Sequence, residues 1–203
     1  MARRSDHSRE ELTALLIASA RRFAESEGLG GIGARRIARD VGYTAGTIYN
    51  VFGNLDGLIM RLREETLDEM HARCAAVPMD ADPAENLRKL AAAYTGYVIE
   101  HPRLWSVLFE HQSPGGAAPD WYRAKVMQLL ALVERAIAPL FAAGEEHARH
   151  HEAQVLWSSL HGIISLEVTS KVGRGESVLS LTESLIDNYV FALIERGARI
   201  AAD

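Results

Sequence analysis

Between Ile32 and Leu58 the chain reads IGARRIARDVGYTAGTIYNVFGNLDGL. Two short helical segments stand here with a tight turn between them. The first runs from Ala34 to Val41 and is stopped by Gly42, which turns the chain where a side chain would cost energy. Thr44 occupies the cap position of the second, Ala45 to Phe52, and Gly53-Asn54 breaks the chain again. Ala38 is small where a crossing helix comes close, and Ile48 faces back toward Ile37 and Val41. Helices joined by so short a turn cross steeply and leave the second one projecting. Its outward face is Thr44, Ala45, Gly46, Thr47 and Asn50, small or polar residues that a major groove can admit. Arg35, Arg36 and Arg39 line the preceding helix, where phosphates would pass, and the helix starts near Gly33 and Thr44 present free N–H groups. An alanine and a glycine at this spacing also suit an ordinary helical hairpin; the arginines favour DNA.

Outward from this unit the reading is helical throughout, with no hairpin signal and no strand-type alternation. On the N-terminal side, Ser8-Arg9-Glu10-Glu11 is a capping box, followed by an apolar face of Leu12, Leu15, Leu16, Ala20, Phe23 and Ala24 that ends at Gly28. On the C-terminal side, Asn54 caps a long helix to about Ala76. Asp82-Pro83-Ala84-Glu85 starts the next, and His101-Pro102 divides that one from a helix reaching about Gln112. Ser113 to Pro119 is a loop. Further helices span about Asp120 to Ala142, with Pro139 bending or ending the segment, then Glu146 to Lys171 and Ser177 to Ala198, the last two separated by Gly173-Arg174-Gly175. The count is nine, an all-α chain.

Hydrophobic residues make up 48% of the 203, enough for a packed core. The single cysteine, Cys74, excludes an internal disulfide framework and fits a reducing cytoplasm. No signal-peptide pattern or membrane-length apolar run is present, so a soluble cytoplasmic protein is expected. Net charge is −5, but it is unevenly spread: residues 1–57 carry 8 Lys+Arg against 7 Asp+Glu, and the other 146 carry 14 against 20. A DNA-binding surface is therefore expected at the N-terminal end. Glycine-rich phosphate loops, nucleophile elbows and zinc-hydrolase spacings are absent, which argues against an enzyme.

Residues 8–60 resemble the TetR-type transcriptional regulators. The family pattern runs like Thr-x-Arg-x-Ile-Ala-x-x-x-Gly, then a recognition helix ending in Tyr-x-His-Phe-x-x-Lys. Arg35, Ile37, Ala38, Gly42, Tyr49 and Phe52 match it, as do the length and the nine-helix layout. Three positions depart: Gly33 replaces a hydroxyl cap, Val51 the His, and Leu55 a phosphate-binding Lys. Arg35, Arg36, Tyr49 and an Arg3-Arg4 arm remain to meet phosphate. The resemblance implies a helix-turn-helix DNA-binding domain at 1–57 and a helical regulatory domain at 58–203. It also implies dimerisation through the last two helices, double-stranded operator DNA as partner, and repression relieved by a small-molecule effector. No cofactor and no membrane partner are implied.

Trp157-Ser158-Ser159-Leu160-His161-Gly162 resembles the Trp–His–Gly signature of one subgroup of these regulatory domains. Trp157 and His161, one helical turn apart, are candidates for a ligand cavity or for a core Trp beside a hydrogen-bonded His. Candidate wall residues on the middle helices are Tyr94, Tyr97, Trp105, Phe109, Trp121 and Tyr122, with His101 as a polar contact; aromatics at this spacing also serve as plain core. In the last helix, Leu185, Ile186, Tyr189, Val190, Leu193 and Ile194 form two apolar rows, wider than one core stripe needs, so Leu185, Ile186, Tyr189 and Leu193 are candidates for a dimer interface. His147 and His151 have ligand spacing beside His150, Glu146 and Glu152, but a charged helix start is the simpler reading and no metal site is assigned.

Overall fold

The computed structural model describes residues 7–110, 118–168 and 177–200. Among these residues the chain forms nine α-helices and no strand. They are α1 (Arg9–Glu27), α2 (Ala34–Asp40), α3 (Ala45–Phe52), α4 (Leu55–Ala75), α5 (Pro83–Glu100), α6 (Pro102–Glu110), α7 (Asp120–Ile137), α8 (Glu146–Val168) and α9 (Val178–Ile200). The Arg3-Arg4 arm, most of the 113–119 loop and the Gly173-Arg174-Gly175 turn lie outside the described residues.

Local chemistry sets most helix ends. At α1, Glu11 N–H donates to Ser8 Oγ at 3.1 Å and Ser8 N–H donates to the Glu11 carboxylate at 2.7 Å, a complete capping box. Gly57 N–H donates to Asn54 Oδ1 at 2.7 Å, and Ala84 N–H to Asp82 Oδ1 at 2.9 Å, so both expected caps form. Helix α7 stops earlier than its apolar pattern suggests. It ends at Ile137 and passes into a 3-10 turn, Ala138–Leu140, because Pro139 has no N–H to continue the ladder. Thr44 occupies the start of α3 but makes no side-chain cap bond.

By packing, the chain divides into two compact units, one of Met1–Asp68 with His101–Pro119 and one of Glu69–Glu100 with Asp120–Asp203. In the first, α1 to α3 and the start of α4 close on a core that includes the wholly buried Leu16, Ile37, Ile48 and Leu62. Helix α6 joins the same core through Leu104 and Val107, both wholly buried. Arg63 of α4 donates to the Leu108 carbonyl at 2.6 Å, a partner for one of the orphan acceptors at the end of α6. In the second unit, Val178, Thr182, Ile186, Val190 and Leu193 form one buried row along α9, three and four apart. The Glu152 carboxylate, 6% exposed, accepts from the Tyr189 hydroxyl and from Arg196 Nη1 at 2.6 Å, tying α8 to α9. No described helix is long and apolar enough to cross a membrane.

Candidate functional site

The geometry of the helix pair follows from Gly42. Its φ of +84° is open to glycine at little cost. With it, Tyr43 N–H reaches the Ala38 carbonyl at 2.7 Å and Gly42 N–H the Arg39 carbonyl at 3.1 Å, the two crossed bonds of a Schellman end to α2. The turn delivers α3 with Ile48 wholly buried, so the opposite face must point outward. Thr44, Gly46, Tyr49 and Asn50 are exposed there, while Ala45 and Thr47 are partly covered. A Cβ added at Gly46 would meet only Thr44 Oγ1, at 3.7 Å. The single chain therefore has no steric need of glycine at that position. Tyr49 is 54% exposed, with its hydroxyl available to a phosphate.

The arginines of α2 divide into two groups. Arg36 is held by the Glu27 carboxylate through both terminal nitrogens and lies 4.0 Å above the Phe23 ring. Glu27 in turn is kept ionised, with its carboxyl below the usual range because Arg36 donates to it. Arg35 and Arg39 stay exposed, with no ion pair among the described residues. Arg22 and Ser19 both bond Asp40. Of the three α2 arginines, Arg36 is thus engaged within the chain while still 46% exposed, and Arg35 and Arg39 carry no such partner among the described residues. At the N-terminal edge, His7 Nδ1 and the Tyr43 hydroxyl are 2.9 Å apart, tying the start of α1 to the turn after α2. Leu55 packs against the core of its unit rather than standing at the surface as a Lys would.

The second unit holds a half-open cavity between the C-terminal end of α4 and helices α5, α7, α8 and α9. About 50 Å³ of it is open to the centre of a water-sized sphere. Its fourteen wall residues include no charged side chain; the polar atoms belong to Cys74, Tyr94, Trp157 and Thr182. Burial pushes the Cys74 thiol up to about 11. Trp157 and His161 stack, their rings 5.4 Å apart and 26° from parallel. His161 Nδ1 lies 3.4 Å from the Tyr94 hydroxyl, and burial lowers the His161 pKa, favouring the neutral ring.

Of the wall residues expected from sequence, the cavity brings together Tyr94 and Trp157, with His161 behind them. Tyr97 is buried away from it and donates to Glu69 at 3.2 Å. Trp121 and Tyr122 meet edge-on at 5.8 Å at the start of α7, outside the wall. His101, Trp105 and Phe109 belong to the other compact unit, where His101 lies 3.4 Å from Glu25 and Trp105 packs on Phe109 at 4.9 Å. The aliphatic wall, Leu129, Leu132 and Leu160 among others, was not anticipated, since leucines at helical spacing look the same whether they line a void or fill a core. On α9, Ile186 and Leu193 turn into their own unit, Leu185 lines the cavity and Tyr189 is engaged by Glu152. Among the described residues no group of three His, Cys, Asp or Glu is placed to hold a metal; His150 is bonded instead to Glu134 at 2.7 Å.

Residues 87–189 match the family model described as the tetracyclin repressor-like C-terminal domain. An uncharacterized HTH-type transcriptional regulator of Mycobacterium tuberculosis is 26% identical over 169 residues, 83% of this chain and 74% of its own length. Among solved structures, a protein of unknown function from Rhodococcus sp. RHA1 superposes with a TM-score of 0.73 at 20% identity, covering 92% of this chain and 96% of that one. A tetR-family transcriptional regulator from Streptomyces coelicolor gives 0.72 at 19% identity, covering 96% and 84%. The matched domain takes up half of the chain and follows a helix-turn-helix unit of the kind for which the mycobacterial relative is named. The chain therefore belongs to the TetR family of transcriptional regulators, proteins that act by binding DNA and not by catalysis.

Proposed function

We propose that this protein is a homodimeric cytoplasmic repressor, released from a palindromic operator by a small-molecule effector. In this reading residues 1–57 contact DNA and 58–203 bind effector and partner subunit. The observation that carries it is the outward face of α3, which serves no packing purpose in the chain: Ile48 alone anchors the helix fully, and Thr44, Gly46, Tyr49 and Asn50 are left to solvent. A major groove accepts such a face, with Ala45 and Thr47 at its edges and Arg35 beside it toward phosphate. Two heads related by a twofold axis read half-sites about 34–36 Å apart or a multiple of that. A gel-shift with the DNA upstream of the protein's own gene, followed by footprinting, is the direct test. Protection of a single asymmetric half-site contradicts the reading. Tyr49→Phe is expected to weaken specific and non-specific DNA by similar factors, about three- to tenfold, because a phosphate contact carries no sequence information. A loss confined to one operator position would reassign Tyr49 to base reading.

For the dimer face, this reading adds exposed apolar residues to the α9 candidates taken from sequence. Leu166 of α8 and Phe191 and Ile194 of α9 are 45%, 66% and 51% exposed, large apolar side chains that the single unit leaves uncovered. Gly162, in the middle of α8, has nothing within 4 Å of the place a Cβ would occupy. A glycine there costs the helix about 1 kcal/mol against alanine, and close approach of a second helix accounts for it. Phe191→Glu combined with Ile194→Glu is expected to give folded monomers by sedimentation and circular dichroism, with operator affinity down at least a hundredfold through lost avidity. An intact dimer would place the interface elsewhere.

A further inference from the structure

The cavity in the second unit carries more than its existence. Trp157 Nε1 and Thr182 Oγ1 are buried and have no hydrogen-bond partner, and both residues belong to its wall. Thr182 as a whole is 4% exposed. Buried donors are nearly always satisfied in folded chains; Thr95 Oγ1, outside the wall, is buried and unpartnered too, but the two at the void are the ones a guest that spreads the wall would reach. A tryptophan N–H can only donate. Whatever completes it must bring an acceptor. No charged side chain lines the space, the Cys74 thiol is held in its protonated form by burial, and the ring behind the wall, His161, is driven toward neutrality. A charged guest would give up its hydration there and receive no counter-charge.

We propose that the cavity takes an uncharged, largely hydrocarbon molecule bearing one hydrogen-bond acceptor, such as a ketone or ester oxygen, which the Trp157 indole N–H and the Thr182 hydroxyl bind. The inference rests on the reading of this cavity as the effector site. It also says how occupancy acts. A cavity of about 50 Å³ is room for a few waters at about 10–15 Å³ each, and not for a molecule of about eight or more heavy atoms. Such a guest spreads the helices that meet around the void. It therefore favours a conformation with a wider cavity than the one described, as any ligand with differential affinity does.

Two probe scaffolds, one flat and one flexible, test this on the full chain. The first is the naphthalene series 2-acetylnaphthalene, 2-ethylnaphthalene, 2-naphthoate and 2-naphthylmethylammonium. The second is 2-octanone, octane, octanoate and octylammonium. Binding is read by calorimetry, and operator release by gel-shift with the same probes. In at least one series the ketone is expected to bind about tenfold tighter than the hydrocarbon, the fold-change of one recovered buried hydrogen bond. Both ions of that series are expected at least a hundredfold weaker than the ketone. Trp157→Phe should remove the ketone's advantage while the hydrocarbon still binds, and the near-isosteric Thr182→Val should reduce it without disturbing the fold. The proposal is overturned if carboxylate or ammonium matches the ketone, if ketone and hydrocarbon bind equally to the unmodified chain, or if neither series binds. The expected ranking with no operator release upholds the chemistry of the site and overturns the effector reading. Release driven by an ion does the reverse.

Discussion

Gly57→Ala is expected to cost the N-terminal unit about 2–3 kcal/mol and to reduce operator affinity about a hundredfold. The added Cβ would overlap the Phe52 carbonyl oxygen and stand 3.2 Å from its carbon and 3.4 Å from Phe52 Cβ. The first two obstacles are backbone, so no rotamer change relieves them. Either α4 backs away or the end of α3 moves, and overpacking of this kind typically costs 1–3 kcal/mol even before function is considered. Phe52 ends α3, so relief displaces the helix that carries Thr44, Gly46, Tyr49 and Asn50. Positioning contacts to phosphate fail when their donors shift by about an ångström. Gly46→Ala is the internal control. It makes the same chemical change where the new Cβ meets only a hydroxyl oxygen at 3.7 Å, so stability should hold or rise by a few tenths of a kcal/mol. Urea unfolding and gel-shifts at fixed salt read both variants. A Gly57→Ala protein as stable and as tight as the original would show that the α3–α4 junction yields freely.

The second large effect lies at Glu152. Burial opposes its charge, but the bonds from Tyr189 and Arg196 outweigh burial and hold the carboxyl below its ordinary value of 4.5. Tyr189 moves the opposite way: burial, then the Glu152 carboxylate, pushes its phenol up. Glu152→Ala strands the Tyr189 hydroxyl and leaves a void between α8 and α9, at a cost of about 2–4 kcal/mol. Arg196 loses less, because its side chain is 55% exposed and rehydrates. The pH dependence has a definite sign. A carboxyl whose folded pKa lies below its unfolded one contributes fully above the unfolded value, and the contribution fades as pH falls through the folded value. Stability of the original chain should therefore drop on acidification below about pH 4.5 more steeply than that of Glu152→Gln. Parallel acid-unfolding curves for the two would mean that this carboxylate is not tied in solution as it is here. Because α9 also carries Phe191 and Ile194, loosening it should weaken dimerisation as well, which sedimentation of Glu152→Gln would detect.

Sequence alone was sufficient for most features whose deciding atoms lie within a few residues of one another, the Thr44 side-chain cap excepted. The capping box of Ser8 and Glu11, the caps at Asn54 and Asp82, and the Schellman end built on Gly42 each close over two to five residues, and their side chains are legible as motifs. The projection of α3 follows from that turn plus one apolar residue, Ile48, so the outward face proposed to meet DNA was legible too. Tertiary structure decided what depends on distant pairs. Glu27 and Arg36 are nine residues apart around a turn, and their surface ion pair could not be read from either segment alone. Helix α6 reads as part of the C-terminal region, yet Leu104 and Val107 find their apolar partners on α1 to α4. In α9 two apolar rows were visible, but periodicity cannot say which row turns inward. The neighbouring helices decide that, burying Ile186, Val190 and Leu193 and leaving Ile194 outside, beside a Phe191 that neither row included. The two glycines make the same contrast. Gly42 is required by its own φ, a local property written in the turn, whereas Gly57 is required by a carbonyl of the preceding helix, which no local pattern can announce. Hydrogen-bonded ends are short-range and residue-specific, while burial is a sum over neighbours that exist only once the chain has folded.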